Sequence, residues 1–215
     1  GDVDPATDTL FAPIPEWLRG SRMGYGHRDA VASLIRMAEA ARADGVTIRV
    51  VSPFRSYSDQ VRIWEGKWNG STAVDGGKLP ETHPDPETRA LKILEYSSMP
   101  STSRHHWGTD FDLNNLTNSW FDSGEGKRLY DWLNAHAAEY GFCQVYTVKD
   151  KDRPTGYEEE RWHWSYIPVA AHYLAQYPIA VGYEHITGFA GAEAAAKIDV
   201  IANYVQSIGP LCRRQ

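Results

Sequence analysis

The sequence predicts an α+β fold, a small and mostly antiparallel sheet flanked by helices, in a single domain of 215 residues. Two observations lead there. Segments with apolar residues at helical spacing alternate irregularly with short β-branched or alternating runs, without the regular strand, helix, strand rhythm that builds a parallel sheet. No compositional break or internal repeat divides the chain, and its length suffices for one sizeable core. A composition 42% hydrophobic and 12% aromatic, with eight Trp and twelve Tyr, suits a filled interior and an aromatic-lined cleft.

Residues 1–25 hold three prolines and little periodicity, and are expected to lie as an extended arm over the surface. From Arg28 to Arg42 the apolar Val31, Leu34, Ile35 and Ala38 recur at helical spacing, and Gly45 is a stop signal. The run VTIRVV, 46–51, reads as a strand that delivers Ser52 to Arg55 into a loop. A helix follows over 58–68, with Ser58 as cap and Val61, Ile63 and Trp64 turned inward. Residues 69–86 are loaded with Gly, Pro, Ser and Thr and predict a surface excursion within an insertion at 69–100. Asp85 and Pro86 fit the cap and first turn of a helix through ETRALKILEYS. TDFDLN alternates as a strand, GEGKRLYDWLNAHAAEYG is an amphipathic helix ending at Gly141, and FCQVYTV is a strand. RWHWSYI, 161–167, alternates again, and helices near 168–176 and 192–206 finish the chain, the latter in a C-terminal extension at 179–215.

A net charge of −6 argues against a phosphate-backbone binder, which concentrates Lys and Arg on one face. No apolar run approaches the ~20 residues that span a bilayer. The start, GDVDPATDTLFAPIPEWL, has neither the basic nor the apolar stretch of a signal peptide, and a leading Gly before a Pro-rich segment equally fits a processed or truncated start. Cys143 and Cys212 are too far apart for a metal knuckle. Two readings stay open for them: a bridge that stabilises by roughly 4 kcal/mol, or two buried thiols.

The chemistry concentrates in SRHHWGTDFDL, residues 103–113. In a strand Asp110 and Asp112 share one face while Thr109 and Phe111 share the other. Gly108 allows a turn that returns His105 toward the acidic face. An imidazole and a carboxylate on one point are plausible Zn²⁺ ligands, and a third is required. The third candidate lies in EEERWHW, where His163 shares a face with Arg161 and Ser165. Glu160 falls on the opposite phase of an ideal strand, so a bulge or a strand start is needed to bring it along. Each piece alone also fits a packed histidine or a solvated acidic face, and the spacing by itself supports metal-assisted hydrolysis and nothing finer.

Three motifs, in order, resemble the VanY-type D-alanyl-D-alanine carboxypeptidases, within the zinc peptidases that include lysostaphin-like enzymes and the hedgehog fold. SPFRSYSDQ fits Arg-Ser-x-x-x-Gln, SRHHWGTDFD fits Ser-x-His-x-x-Gly-x-x-x-Asp, and ERWH fits Glu-x-x-His, the likeness spanning roughly 28–178. The resemblance implies a hedgehog/DD-peptidase-like fold and one Zn²⁺ held by His105, Asp112 and His163. It implies Glu160 as catalytic base, with Arg55, Gln60 and Ser103 on the substrate's terminal carboxylate and carbonyl. Arginine suits a free carboxylate or a developing oxyanion because it donates two parallel hydrogen bonds, so Arg55 counts among the catalytic candidates as well. Trp164, with Trp107, Trp162 and Tyr166, is a candidate for the cleft wall; core packing is the alternative, and the better one for Trp162. Tyr57 and Tyr157 lie near motif residues.

The implied activity is removal of a C-terminal D-alanine from peptidoglycan stem peptides or their precursors by a monomer with no nucleic-acid partner. An L,D-carboxypeptidase, an endopeptidase with the same zinc site, and a non-catalytic zinc-containing module are the alternatives. The substrate implies a periplasmic or exported protein. Two departures stand out. Relatives often carry Ala where this chain has Asp110, which reads as a partner orienting a ligand histidine, a rival ligand, or a solvated strand residue. Ser165 follows Trp164 where relatives often have Arg. His106 reads as a surface or supporting residue, and His27, His83, His136, His172 and His185 as structural or exposed.

Overall fold

Four strands form an antiparallel sheet of order β3, β4, β6, β5 in a computed structural model that describes residues 3–21 and 23–213: β3 is Val50–Ser52, β4 Asp110–Leu113, β5 Phe142–Gln144 and β6 His163–Tyr166. The register opposes Asp112 to His163 and Asp110 to Ser165, and directly opposed residues share a face. Phe111, Leu113 and Trp164 take the other face and pack with Val31, Leu34, Leu129 and Leu133 in one apolar cluster. An irregularity between Val50 and Ser52 shifts the pairing of β3, so Val50 opposes Leu113 while Ser52 opposes Asp112. This bulge carries the edge strand from the apolar side to the polar side.

Helix α1, Arg28–Ala43, buries Val31, Leu34, Met37, Ala38 and Ala41 and ends before Gly45 at φ +75°. Helix α2 is Tyr57–Trp68; its cap is Ser56, two residues before the expected one, and the Ser56 hydroxyl accepts from the Asp59 amide at 3.0 Å. Helix α3, Leu79–Thr82, puts a turn into the expected excursion and anchors it through buried Leu79. Helix α4, Pro86–Ile93, starts at the expected Asp85 cap. Helix α5, Gly124–His136, continues as a 3-10 turn to Gly141, and α6 is Ile167–Ala180. The helix expected at 192–206 is divided. Helix α7, Ala194–Ile198, stops at Asp199 in the left-handed region, φ +51°, where Tyr183 donates to the aspartate carboxylate, and a π turn at Ile201–Val205 follows.

Two further expectations are corrected. The segment at 46–49 is not ladder-bonded: the Asn114 side chain accepts from the Arg49 amide at 2.9 Å and donates to the Thr47 carbonyl at 2.8 Å, taking the place of a strand partner. The segment 1–25 is a surface arm only at its start, where residues 3–10 are mostly exposed turns. Phe11–Pro13 (β1) and Tyr25–His27 (β2) pair as a second, antiparallel sheet, and Ile14 and Leu18 are fully buried. Three prolines obscured this because their influence on local spacing hides two anchors that only packing reveals.

A second cluster joins Trp64 of α2, Leu79, Ile93 and Met99 to Tyr157, Ile198 and Ile208. The insertion and the C-terminal extension therefore share one core. Cys143 of β5 and Cys212 are bridged, with Cα atoms 5.6 Å apart. A denatured, unreduced sample is expected to expose no free thiol from this pair. The double variant Cys143→Ala/Cys212→Ala should lose about 4 kcal/mol of stability in urea unfolding, the loop-closure contribution of a long ring; an unchanged midpoint would count against that contribution.

Candidate metal centre

The polar face of the sheet, shielded from water, gathers the motif residues. His105, Asp112 and His163 are buried, and one ligating atom from each lies within 4.8 Å of the others. His105 Nε2 is 3.3 Å from Asp112 Oδ2, and His163 Nδ1 is 3.3 Å from Asp112 Oδ1. Asp112 Oδ1 is buried without a hydrogen bond among the described residues. A buried carboxylate oxygen left so between two imidazole nitrogens suits a cation, and an N, N, O donor set suits Zn²⁺ with a position to spare.

The far nitrogen of each ring explains which atom faces inward. His105 Nδ1 lies 2.9 Å from the Pro53 carbonyl, an acceptor only, so Nδ1 carries the proton and Nε2 is left toward Asp112. His163 is turned the other way: Nε2 lies 3.1 Å from Asp110 Oδ1, leaving Nδ1 toward Asp112 and Glu160. Burial pulls the His105 pKa down and outweighs the attraction of Asp112, which keeps the ring neutral. Burial also opposes charging of His163, but hydrogen bonds to Asp110 and Glu160 win and push it up to about 10.

Asp110, fully buried, is the residue that orders this arrangement. It accepts from Arg104 Nε at 2.9 Å, Thr109 Oγ1 at 2.6 Å and Ser165 Oγ at 2.9 Å as well as from His163. Arg104 also donates to Ser165 at 2.8 Å and lies over the Trp107 ring. Burial raises the Asp110 carboxyl, yet the Arg104 guanidinium and these donors hold it well below the usual carboxylate range. The two sequence departures, Asp110 and Ser165, are thus direct cross-strand partners in one network. Of the three readings of Asp110, the geometry matches a partner that orients a histidine.

His105 sits on a 3-10 turn, Arg104–Trp107, that ends at Gly108 with φ +70°. A Cβ there would meet the His27 amide at 2.8 Å and the Phe11 ring at 2.7 Å, so only glycine permits the N-terminal hairpin to back the turn. The loop after β3 is bonded to the same turn: the Arg55 amide donates to the His105 carbonyl at 3.2 Å, and His106 Nδ1 donates to the Arg55 carbonyl at 2.7 Å. His106 is thus tied to the loop and stands outside the metal group; burial lowers its pKa to about 4.

Glu160 reaches the centre by the strand start the sequence required. β6 begins at His163, and Glu160, just before it, folds back so that Oε2 lies 3.1 Å from His163 Nδ1. Burial raises its pKa against the pull of His163. Arg55 Nη2 is 3.7 Å from Asp112 and donates to Ser52 Oγ at 2.8 Å, while Nη1 donates to Gln60 Oε1 at 2.7 Å. Gln60, fully buried, donates in turn to the Ser98 carbonyl at 2.7 Å, so it steadies Arg55 and does not border the cleft. Ser103 is buried with its hydroxyl unpartnered among the described residues, and it too stands outside the cleft lining. Trp164 is corrected outright as a cleft residue: it is 3% exposed in the core, its indole donating to the Arg161 carbonyl.

Above the centre opens a cleft of about 660 Å³ lined by Arg55, His105, Asp112, Glu160 and His163. Residues the sequence did not single out complete it, among them Lys67, Tyr96, Ser97, Asn118 and Tyr146. Tyr146 packs edge-on against His163 at 4.8 Å. The adjacency of Arg104 to the histidine motif was the one visible cue to the missed network; Lys67 and Tyr96 carried none, since both reach the cleft through packing of α2 and the insertion. Trp162 and Tyr157 do line the cleft, although both are almost wholly buried, whereas Tyr57 and Trp107 border a second cavity of about 690 Å³.

Comparison with known proteins agrees with this geometry. A curated D-alanyl-D-alanine carboxypeptidase of Enterococcus faecalis is 30% identical over 138 residues, 62% of this chain and 45% of that protein. The chain spans less than half the length of the curated relatives it matches. A crystal structure of a mutant of the vancomycin-resistance D,D-pentapeptidase VanY in complex with Zn(II) superposes with a TM-score of 0.53 and 24% identity, over 85% of this chain and 93% of that one. The LD-carboxypeptidase LdcB superposes with a TM-score of 0.56 and 20% identity, over 89% of this chain and 74% of that one. At these identities the likeness is one of fold, and it is the DD-peptidase-like fold the motifs implied. The model of the family described as VanY, D-alanyl-D-alanine carboxypeptidase, matches residues 25–169, more than half of the sequence, and the chain belongs to that family.

Proposed function

We propose that this chain is a zinc-dependent carboxypeptidase that removes a C-terminal D-alanine from peptidoglycan stem peptides. The observation that carries the reading is the meeting of His105, Asp112 and His163 within 4.8 Å at the floor of a cleft that also presents Glu160 and Arg55. Family membership supports the choice of bond and substrate. A stem peptide of assembled wall lies outside the cytoplasmic membrane, so the reading carries export with it.

His105 through Nε2, His163 through Nδ1 and Asp112 would hold one Zn²⁺. Such an ion, when bound, lowers the pKa of its water toward ~7 and polarises the scissile carbonyl. Glu160 has the position and the burial-raised pKa to accept a proton from water and deliver it to the departing amine. Arg55, fixed by Ser52 and Gln60, presents its charge for the terminal carboxylate or the developing oxyanion. Asp110 serves by holding the His163 ring with Nδ1 inward.

Four measurements test the reading. Chelation should abolish release of D-alanine from a pentapeptide stem, and added zinc should restore it; turnover indifferent to chelator would sink the zinc assignment. A panel of pentapeptide, tetrapeptide and cross-linked fragments read by mass spectrometry should show loss of one terminal D-alanine from the pentapeptide first. Glu160→Gln should lower kcat by about 10² to 10⁴ with zinc content kept, and a fully active variant would remove Glu160 from the proton path. Asp110→Asn should weaken zinc binding about 10- to 100-fold in a calorimetric titration, whereas unchanged affinity would reduce Asp110 to a packing residue.

A further inference from the structure

The cleft contains a cation that the reading above does not use. Lys67 is in the last turn of α2, half-buried, with Nζ in the cleft wall 2.5 Å from the Ser97 hydroxyl. An ammonium has three donors, and Ser97 takes one. No carboxylate among the described residues comes within ion-pair distance of it: the acidic charges that act on Lys67 from farther off are Glu160, occupied with His163, and Asp75, held by Lys92 at 2.6 Å. Arg55, facing the same cleft, repels it. Burial pulls its pKa down, and the attraction of Glu160 and Asp75 does not make up the difference. A charge left so is costly unless a ligand supplies the opposite one.

We infer that Lys67 is a specificity-determining residue that pairs with a second carboxylate of the substrate, carried on the acyl side of the scissile bond. The inference rests on the carboxypeptidase reading. The departing D-alanine has a single carboxylate, the terminal one assigned to Arg55. A second anion in the cleft is then carried upstream of the terminal pair, and the assignment places it on the side chain of the residue that precedes that pair. The preferred substrate class is an acyl-X-D-Ala-D-Ala peptide in which X ends in a free carboxylate, with Lys67 donating to it beside Ser97.

The test compares kcat/KM for acetyl-X-D-Ala-D-Ala peptides in which X is L-glutamate or L-2-aminoadipate, each against its side-chain amide. The two lengths cover the reach of the lysine, and the amides keep the shape without the charge. For the wild-type zinc enzyme, at least one acid should exceed its amide about 10- to 100-fold, the range of a charge-assisted hydrogen bond, through KM and not kcat. In Lys67→Met that ratio should fall to about one, and in Lys67→Arg it should largely return. Because the readout is a ratio within one enzyme, partial misfolding cancels from it. Wild-type ratios near one for both lengths, or a ratio that survives in Lys67→Met, would overturn the assignment. An equal loss on acid and amide would place Lys67 on the terminal carboxylate instead and also overturn it. If the wild type cleaves none of the four peptides nor a full pentapeptide stem, the carboxypeptidase reading itself fails, a result distinct from cleavage without selectivity.

Discussion

The buried pair of Arg104 and Asp110 is the constraint on which the site depends. Two opposite charges taken out of water are costly unless hydrogen bonds also meet them; here Thr109, Ser165 and His163 satisfy the carboxylate, while Arg104 donates to Asp110 and Ser165, keeps Nη1 unpaired among the described residues and rests on the Trp107 ring. The consequence is directional. An aspartate kept ionised at 0% exposure can only accept, so it holds a proton on Nε2 of His163 and turns Nδ1 toward Asp112. The antiparallel register of β4 and β6 makes this possible by placing Asp110 opposite Ser165 and Asp112 opposite His163 in consecutive same-face positions.

Around that pair, three remote segments are bonded to one another before any ligand arrives. The loop after β3 supplies carbonyls to both histidines of the 105–106 pair, the N-terminal hairpin closes on Gly108 with the His27 amide at 2.7 Å from its carbonyl, and Gln60 ties Arg55 to the backbone at Ser98. Side chains whose rotamers are fixed in this way lose little entropy on meeting substrate, which is the physical content of a preorganised site. The bridge between Cys143 and Cys212 fastens β5, the strand beside β6, to the end of the chain and extends the same rigidity to the far edge of the sheet.

The charge distribution complements this rigidity. In a chain of net charge −6, the cleft presents Arg55 and Lys67 beside Asp75, Asp112 and Glu160, so both signs of charge meet in it. The acidic groups at the floor, Asp112 and Glu160, are both engaged with His163.

Much of this protein was written in short-range pattern. Periodicity located α1, α2, α4, α5 and α6, the alternation of TDFDLN placed Asp110 and Asp112 on one face because strand phase is a local property, and the resemblance of three motifs to a known family picked out His105, Asp112, Glu160, His163 and Arg55. What lay beyond local pattern was decided by packing. Leu18 and Ile14 joined the core from a proline-rich segment, Asn114 replaced a strand partner at 46–49, Trp164 went inward, and Asp199 broke the last helix in contact with Tyr183. The partners of Asp110 and the exposure of Lys67 to the cleft depend on residues up to dozens of positions away, and no spacing rule encodes distances between segments that meet only when the chain folds. The sequence determined which groups could do the chemistry; the tertiary structure alone decided which nitrogen, which neighbour and which charge each of them would face.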